Sequence, residues 1–102
     1  MQPARFLAEL DRTIHEPARL TVLAILSRVR SADFVYLARE TGLTRGNLSS
    51  HMVTLERAGF VTVGKEFVGR IPRTTLRLTA AGRAAFGEYR RRMAGALGVS
   101  GE

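Results

Sequence analysis

The chain has 102 residues, of which 45% are hydrophobic, and a formal net charge of +7 from 16 basic and 9 acidic residues. It contains no cysteine, which excludes disulfides and thiolate metal ligands, and its length suits one domain, residues 1–102, with a modest core. No apolar run approaches the roughly 18 residues of a membrane span, and the N-terminal segment lacks the apolar stretch of a signal peptide. We therefore expect a cytoplasmic protein without a membrane partner.

The positive charge indicates a polyanionic partner, of which nucleic acid is the commonest. All basic residues except Lys65 are arginine. A GC-rich genome accounts for arginine in place of lysine as well as a nucleic-acid partner does. It accounts for the net charge less well. The positions of the basic residues must therefore decide between these two explanations.

The first two predicted helices are separated by a proline. The first covers about residues 3–13. The second begins near Pro17, because the residue before a proline is kept away from α geometry and proline suits a first helical turn. It runs to about Val29 with a wide apolar face, which indicates a central core helix. Ser31 and Asp33 in the following link can cap the next helix, and such a link often lies extended beside a hairpin.

Residues 33–58 show the pattern of two helices joined by a tight turn. Gly42 can adopt the positive φ that ends the first helix, and the Thr44 hydroxyl can cap the second. The apolar residues of the second helix recur at i, i+4 and i+7 and therefore share one face: Leu48, Met52 and Leu55. The pattern predicts a helix-turn-helix, whose second helix enters the DNA major groove.

The remaining faces of that second helix carry small polar residues where a solvent-exposed helix usually carries Glu and Lys, which are better helix formers. We expect a surface that approaches DNA closely, formed by Thr44, Arg45, Gly46, Asn47, Ser49, Ser50 and Thr54. Arg45 can pair bidentately with guanine and Asn47 with adenine, whereas the two serines suit phosphate or either base. The alternatives are a merely polar helix face and, for Arg45, an ordinary surface charge.

Two β-prone runs follow, at about residues 60–63 and 75–79. The glycine-rich, basic segment between them predicts a hairpin with a long mobile tip, that is, a wing over about residues 60–79. Its basic residues are expected to contact the DNA backbone or minor groove: Lys65, Arg70 and Arg73. The alternative is a solvated charged hairpin. A last helix covers about residues 80–95, and the glycine-rich end beyond it is expected to fray.

This order of elements resembles a winged helix, and several strings are similar to small bacterial or archaeal winged-helix regulators related to the MarR and ArsR families. The strings are LDR and IHEPARL within residues 10–20, GLTRGNLSSHM at 42–52, LERAGFV at 55–61, GRIPRTT at 69–75 and LTAAGR at 78–83. The resemblance covers about residues 10–93. It implies a mainly α fold with a small β-hairpin (α+β), with about five helices and a wing of two or three strands.

The same resemblance implies a DNA-binding transcriptional regulator, usually a homodimer on a palindromic operator, and we expect a repressor. The terminal helices are expected to form the dimer through Phe6, Leu7, Leu10, Phe86, Tyr89 and Met93. The alternative function is a winged helix used for protein–protein contact without sequence-specific DNA binding. RNA binding is a weaker variant, because few base-stacking aromatic residues lie near the basic residues.

We expect no catalysis, metal or cofactor. Adjacent residues such as Ser50 and His51 point about 100° apart on a helix and do not form a nucleophile–base pair. His15 and His51 are the only histidines, so a transition-metal site is not expected. His51 should instead be half-buried and hydrogen-bonded to a neighbouring helix. The chain is shorter than most MarR proteins, whose additional terminal helices form a ligand pocket, and a small-molecule effector is left open.

Overall fold

The computed structural model describes residues 11–98. Within that range the chain forms four helices and one antiparallel three-stranded sheet: α1 (Pro17–Leu26), β1 (Ala32–Asp33), α2 (Phe34–Thr41), α3 (Arg45–Arg57), β2 (Val61–Val68), β3 (Ile71–Leu78) and α4 (Ala80–Leu97). This is the predicted winged helix, and residues 11–98 contain four of the five predicted helices. The predicted helix at residues 3–13 lies outside the described residues except for its last three, which are not helical.

Helix α1 begins where the proline rule predicts. The Glu16 carboxylate caps it by accepting the N–H groups of Ala18 at 3.1 Å and Arg19 at 2.8 Å. The helix ends at Leu26, one turn before the predicted end at Val29. The segment before α1 is more than a break in the pattern, because Ile14 within it is fully buried.

The two helices of the helix-turn-helix, α2 and α3, begin and end at the predicted residues. Asp33 Oδ1 accepts the Val35 N–H at 2.7 Å and caps α2, and Gly42 ends that helix with a φ of 73°. Thr44 Oγ1 accepts the Asn47 N–H at 3.1 Å and caps α3. The link before α2 lies extended as β1, with Ala32 opposite Leu76 on β3. The predicted helix-turn-helix is therefore confirmed.

The core lies between the helices and the base of the sheet. Its buried residues come from every element of the described fold: Ile14, Val22, Leu23, Leu26, Ala32, Leu37, Leu48, Leu55, Val61, Leu76, Phe86 and Tyr89. Leu48 and Leu55 lie on the inner face of α3 and are completely buried, and the half-buried Met52 packs beside them. The opposite face of α3 is consequently left on the surface.

The prediction of a long mobile wing tip was wrong. Strands β2 and β3 pair along eight residues each, from Val61 opposite Leu78 to Val68 opposite Ile71, and only Gly69 and Arg70 remain as the turn. Gly69 has a φ of 64°, and glycine with positive φ at the first central position is typical of a type II′ hairpin turn. Hydrogen bonds between the two strands thus order this segment, although its glycine and proline content predicted a mobile loop.

Thr79, the residue before α4, joins that helix to the segment that follows α3. The Thr79 hydroxyl donates to the Gly59 carbonyl at 2.6 Å and accepts the Gly82 N–H at 2.9 Å, which caps α4. The helix continues to Leu97, beyond the predicted end near residue 95, and Gly98 ends it with a φ of 72°. None of the helices in residues 11–98 combines the length and hydropathy needed to cross a membrane.

Candidate nucleic-acid interface

The outer face of α3 presents most of the residues predicted to contact DNA. The exposed ones are Thr44, Arg45, Gly46, Asn47, Ser50 and Thr54, whereas Ser49 is half-buried. Within residues 11–98, the side chains of Arg45 and Asn47 form no hydrogen bond or ion pair. Their donors and acceptors are therefore available to an external partner.

The two threonine hydroxyls of this face are partly used by the helix itself. Thr44 Oγ1 caps α3, and Thr54 Oγ1 donates to the Ser50 carbonyl at 3.2 Å. Each oxygen keeps acceptor capacity for an external donor, but neither side chain is free to turn without losing its internal bond. The Arg45 guanidinium and the Asn47 amide are thus better suited to base recognition than these hydroxyls.

Two further residues belong to this face, although neither was among the DNA contacts predicted from the sequence. Gly46, Ser50, Val53 and Arg57 recur at i, i+4, i+7 and i+11, and so lie on the side of α3 opposite Leu48. Val53 is 39% exposed and Arg57 is exposed. The spacing from Ser50 would have found both. An exposed valine methyl suits contact with a thymine methyl, and Arg57 suits a phosphate.

A groove of about 390 Å³ separates the beginning of α3 from the wing. It is lined by Asp33, Phe34, Val35, Arg45, Ile71, Pro72, Arg73 and Thr74. The groove brings Arg45 of the helix and Arg73 of the wing to one site, although 28 positions separate them in the chain. The beginning of α3 and the wing therefore border the same groove.

The three predicted wing cations are not equivalent. Arg73 Nε lies 3.4 Å from Asp33 Oδ2, in an ion pair that ties the wing to the residue that caps α2. Lys65 is exposed on β2, and Arg70 is exposed at the apex of the turn. Arg73 therefore has a structural partner, and Arg70 is the cation placed farthest out on the hairpin.

A polar cluster fixes the inner edge of α3 against α1. Arg19 Nη1 donates to His51 Nδ1 at 3.2 Å, and Glu16 Oε2 lies 3.6 Å from the same nitrogen. Arg19 also donates through Nε to the Thr13 carbonyl at 2.6 Å. The prediction that His51 is half-buried and bonded to a neighbouring helix is confirmed.

The charge state of Glu16 reflects this cluster. Burial by itself raises the pKa of Glu16, but the N–H groups of Arg19 and Ala18 and the nearby His51 and Arg19 side chains outweigh it, so the pKa is lowered overall. The cap of α1 thus stays ionised at neutral pH. No group of three or more potential metal ligands occurs in residues 11–98.

The residues predicted to form a dimer fall into three groups. Phe6, Leu7 and Leu10 lie outside the described residues. Phe86 and Tyr89 are buried within this chain, and the Tyr89 hydroxyl lies 2.8 Å from His15 Nδ1. Met93 is half-buried. The prediction that Phe86 and Tyr89 belong to a dimer surface needs correction, because the core of this chain already covers both side chains.

Comparison with known proteins agrees with this geometry. A family model described as a winged helix DNA-binding domain matches residues 18–97. The uncharacterised protein MJ0432 of Methanocaldococcus jannaschii is 37% identical over 71 residues, which cover 70% of this chain and 77% of that protein.

Solved structures share this fold. A transcriptional regulator homologue from Pyrococcus horikoshii OT3 superposes with a TM-score of 0.84 at 27% identity, covering 93% of this chain and 92% of that one. The PcaV transcriptional regulator from Streptomyces coelicolor, solved with its natural ligand, superposes with a TM-score of 0.72 at 24% identity, covering 89% of this chain and 65% of that one. The second similarity concerns the fold alone.

Proposed function

The chain belongs to the winged helix DNA-binding domain family, and from this premise we propose that it recognises specific double-stranded DNA sequences through α3 and the wing. It is a DNA-binding regulator by family and fold, and such regulators act by binding and not by catalysis. We further propose that it works as a homodimeric repressor on a palindromic operator. The observation that carries the proposal concerns the exposed face of α3, beside the basic wing. There, the side chains of Arg45 and Asn47 have no hydrogen-bond or ion-pair partner within residues 11–98.

The groove between α3 and the wing has the chemistry that a sugar–phosphate strand needs. A helix in the major groove and a hairpin in the adjacent minor groove must have one backbone strand passing between them. Arg45 and Arg73 line the groove, and the beginning of α3 adds the favourable potential of its N–H groups for a phosphate. Phosphate contacts by Arg73 and by the N–H groups at the beginning of α3 would position the protein, whereas the exposed side chains of Arg45, Asn47 and Ser50 would face the base edges.

Replacing Asn47 by alanine is expected to relax sequence preference at one base pair. A bidentate Asn–adenine contact discriminates by about 1–3 kcal/mol, and its loss removes that difference. The Asn47 backbone N–H, which satisfies the cap of Thr44, is retained in the variant. The test compares the affinities of parent and variant for a selected duplex and its single-base-pair changes. Unaltered discrimination at every position would remove Asn47 from the recognition surface.

Replacing Arg70 by alanine is expected to change the salt dependence of DNA binding. One lost phosphate contact lowers the slope of log K against log salt by about 0.9. The matched control is Arg91→Ala, because the Arg91 guanidinium is already paired with Glu88 at 2.9 Å on α4. Titrations across several salt concentrations measure both slopes. Equal slopes for Arg70→Ala and the parent would show that the wing apex does not contact DNA phosphates.

The proposed homodimer has a physical basis. One winged helix makes few DNA contacts, and a symmetric pair on a palindrome doubles them. Among the described residues, the end of α4 offers surface to a second copy, since Leu97 is 69% exposed and Met93 is half-buried. Repression requires no further activity, because a dimer that occupies an operator excludes other proteins from the same DNA.

A further inference from the structure

The tip of the wing is unusually apolar. We define the wing tip as residues 67–72, which comprise the turn and two residues on each side. Phe67 is 72% exposed, Ile71 is 68% exposed and Val68 is 50% exposed. Contiguous large apolar side chains on a protein surface mark an interaction site more often than scattered ones do.

The strand register places these side chains on both sides of the hairpin. Phe67 lies opposite Pro72, and Val68 lies opposite Ile71. Because neighbouring residues of a strand point to opposite faces, the first pair lies on one face and the second pair on the other. Arg70 occupies the apex between them. The tip is therefore a narrow projection with two apolar sides and a cation at its end, and not a flat apolar patch.

The hairpin is long enough to carry this tip away from the body of the protein. Val63 is the last residue of β2 packed against the core, and Phe67 lies four residues beyond it. At a rise of about 3.3 Å per residue, Phe67 is roughly 13 Å past the end of the core. Two paired strands lie about 4.8 Å apart before side chains are added, whereas the minor groove is only about 6 Å wide. A tip that enters the groove must widen it.

We propose that the wing tip is a DNA-bending wedge. Arg70 enters the minor groove, and Phe67 and Ile71 press against adjacent base pairs and partly unstack one step, so that the duplex bends away from the wing. This inference rests on the proposed function, and it adds an architectural activity that a purely positioning wing lacks. Apolar side chains inserted in this way kink DNA by roughly 20–90° in known minor-groove complexes.

The charge around the tip favours DNA over a second copy or another protein as its occupant. The wing carries Lys65, Arg70 and Arg73 against the single acid Glu66 in residues 64–74. An apolar protein surface that covered Phe67 and Ile71 would also desolvate the Arg70 guanidinium, at a large cost unless a carboxylate met it. The minor groove supplies negative potential for Arg70 and apolar base faces for its neighbours.

The wedge predicts a preference for deformable steps. Pyrimidine–purine steps such as TA unstack easily, whereas A-tracts are stiff. The probes are duplexes of about 30 base pairs labelled at both ends for energy transfer, one with central TA steps and one with a central A-tract. The variant is Phe67→Thr/Ile71→Thr, which keeps Arg70 and replaces exposed residues by a β-branched one suited to strands. Val29→Thr is the control, since it removes an exposed apolar side chain that lies outside the wing, α3 and the proposed dimer surface.

The expected result is that the parent and Val29→Thr raise energy transfer on the TA duplex and prefer it to the A-tract duplex. The double variant should still bind both duplexes with the salt slope of the parent, but lose the rise in transfer and the preference. Equal bending by the double variant and the parent would overturn the wedge. A change in oligomeric state of the double variant by light scattering, with bending unaltered, would assign the tip to self-association and also overturn it. Absence of DNA binding by the parent would instead overturn the proposed function.

Discussion

Gly82→Ala is expected to lower the free energy of unfolding by about 3 kcal/mol. Gly82 is buried in the first turn of α4, which packs on the backbone that follows α3. A Cβ at this position would overlap the Phe60 carbonyl oxygen and lie 2.8 Å from its carbonyl carbon. Because that neighbour is backbone and its oxygen accepts the Thr79 N–H at 3.0 Å, it cannot move aside without breaking the junction.

The matched control for this variant is Gly87→Ala in the same helix. A Cβ there would meet only the flexible end of Arg91 at 3.5 Å, so the change should raise stability by about 0.5–1 kcal/mol through the lower entropy of the unfolded chain. Chemical denaturation of both variants measures the difference. A Gly82→Ala protein within about 0.5 kcal/mol of the parent would contradict the described packing of α4 on Phe60.

Ser50→Glu is expected to weaken DNA binding by at least about 100-fold, or roughly 2.7 kcal/mol. Ser50 lies on the exposed face of α3, opposite the fully buried Leu48. A carboxylate there would face the negative potential of the major groove and the phosphates beside it. The fold should be unaffected, because glutamate is a better helix former than serine and the site is exposed.

Ala84→Glu is the control for the change in net charge. Ala84 is exposed on α4, so the variant has the same total charge as Ser50→Glu without altering α3. Its affinity for the same duplex should fall only slightly. Affinity titrations at one fixed salt concentration compare the two variants. Similar losses for both would mean that general repulsion, and not the α3 surface, controls binding.

The helix-turn-helix could be predicted from the sequence because its signals are local. Caps such as Thr44, the turn glycine Gly42 and the apolar spacing of α3 act within a few residues, and the structure shows each in the predicted role. The wing could not be predicted with the same accuracy, since the extent of its strands depends on which residues pair across the hairpin. Residues 64–74 are almost entirely strand because each residue of β2 has a partner on β3.

The candidate site shows the same division between local and distant causes. The face of α3 followed from helical periodicity, and the same periodicity applied at wider spacing would have included Arg57. Arg73 and Asp33 are 40 residues apart in the chain and meet only because β1 lies beside β3. Their ion pair could therefore not be predicted. Likewise, the contact between the Tyr89 hydroxyl and His15 joins residues 74 positions apart and could not be predicted from local signals.

The measurement that tests the central claim most directly is selection of duplexes bound by this chain from a random-sequence pool, followed by sequencing. Recognition through α3 predicts a strongly enriched motif whose affinity exceeds that of a scrambled duplex by roughly 10³-fold or more at equal salt. A homodimer predicts two inverted half-sites about 10 base pairs apart, on one face of the helix. A single enriched half-site would contradict the dimer, and a pool with no enriched sequence would contradict sequence-specific recognition itself.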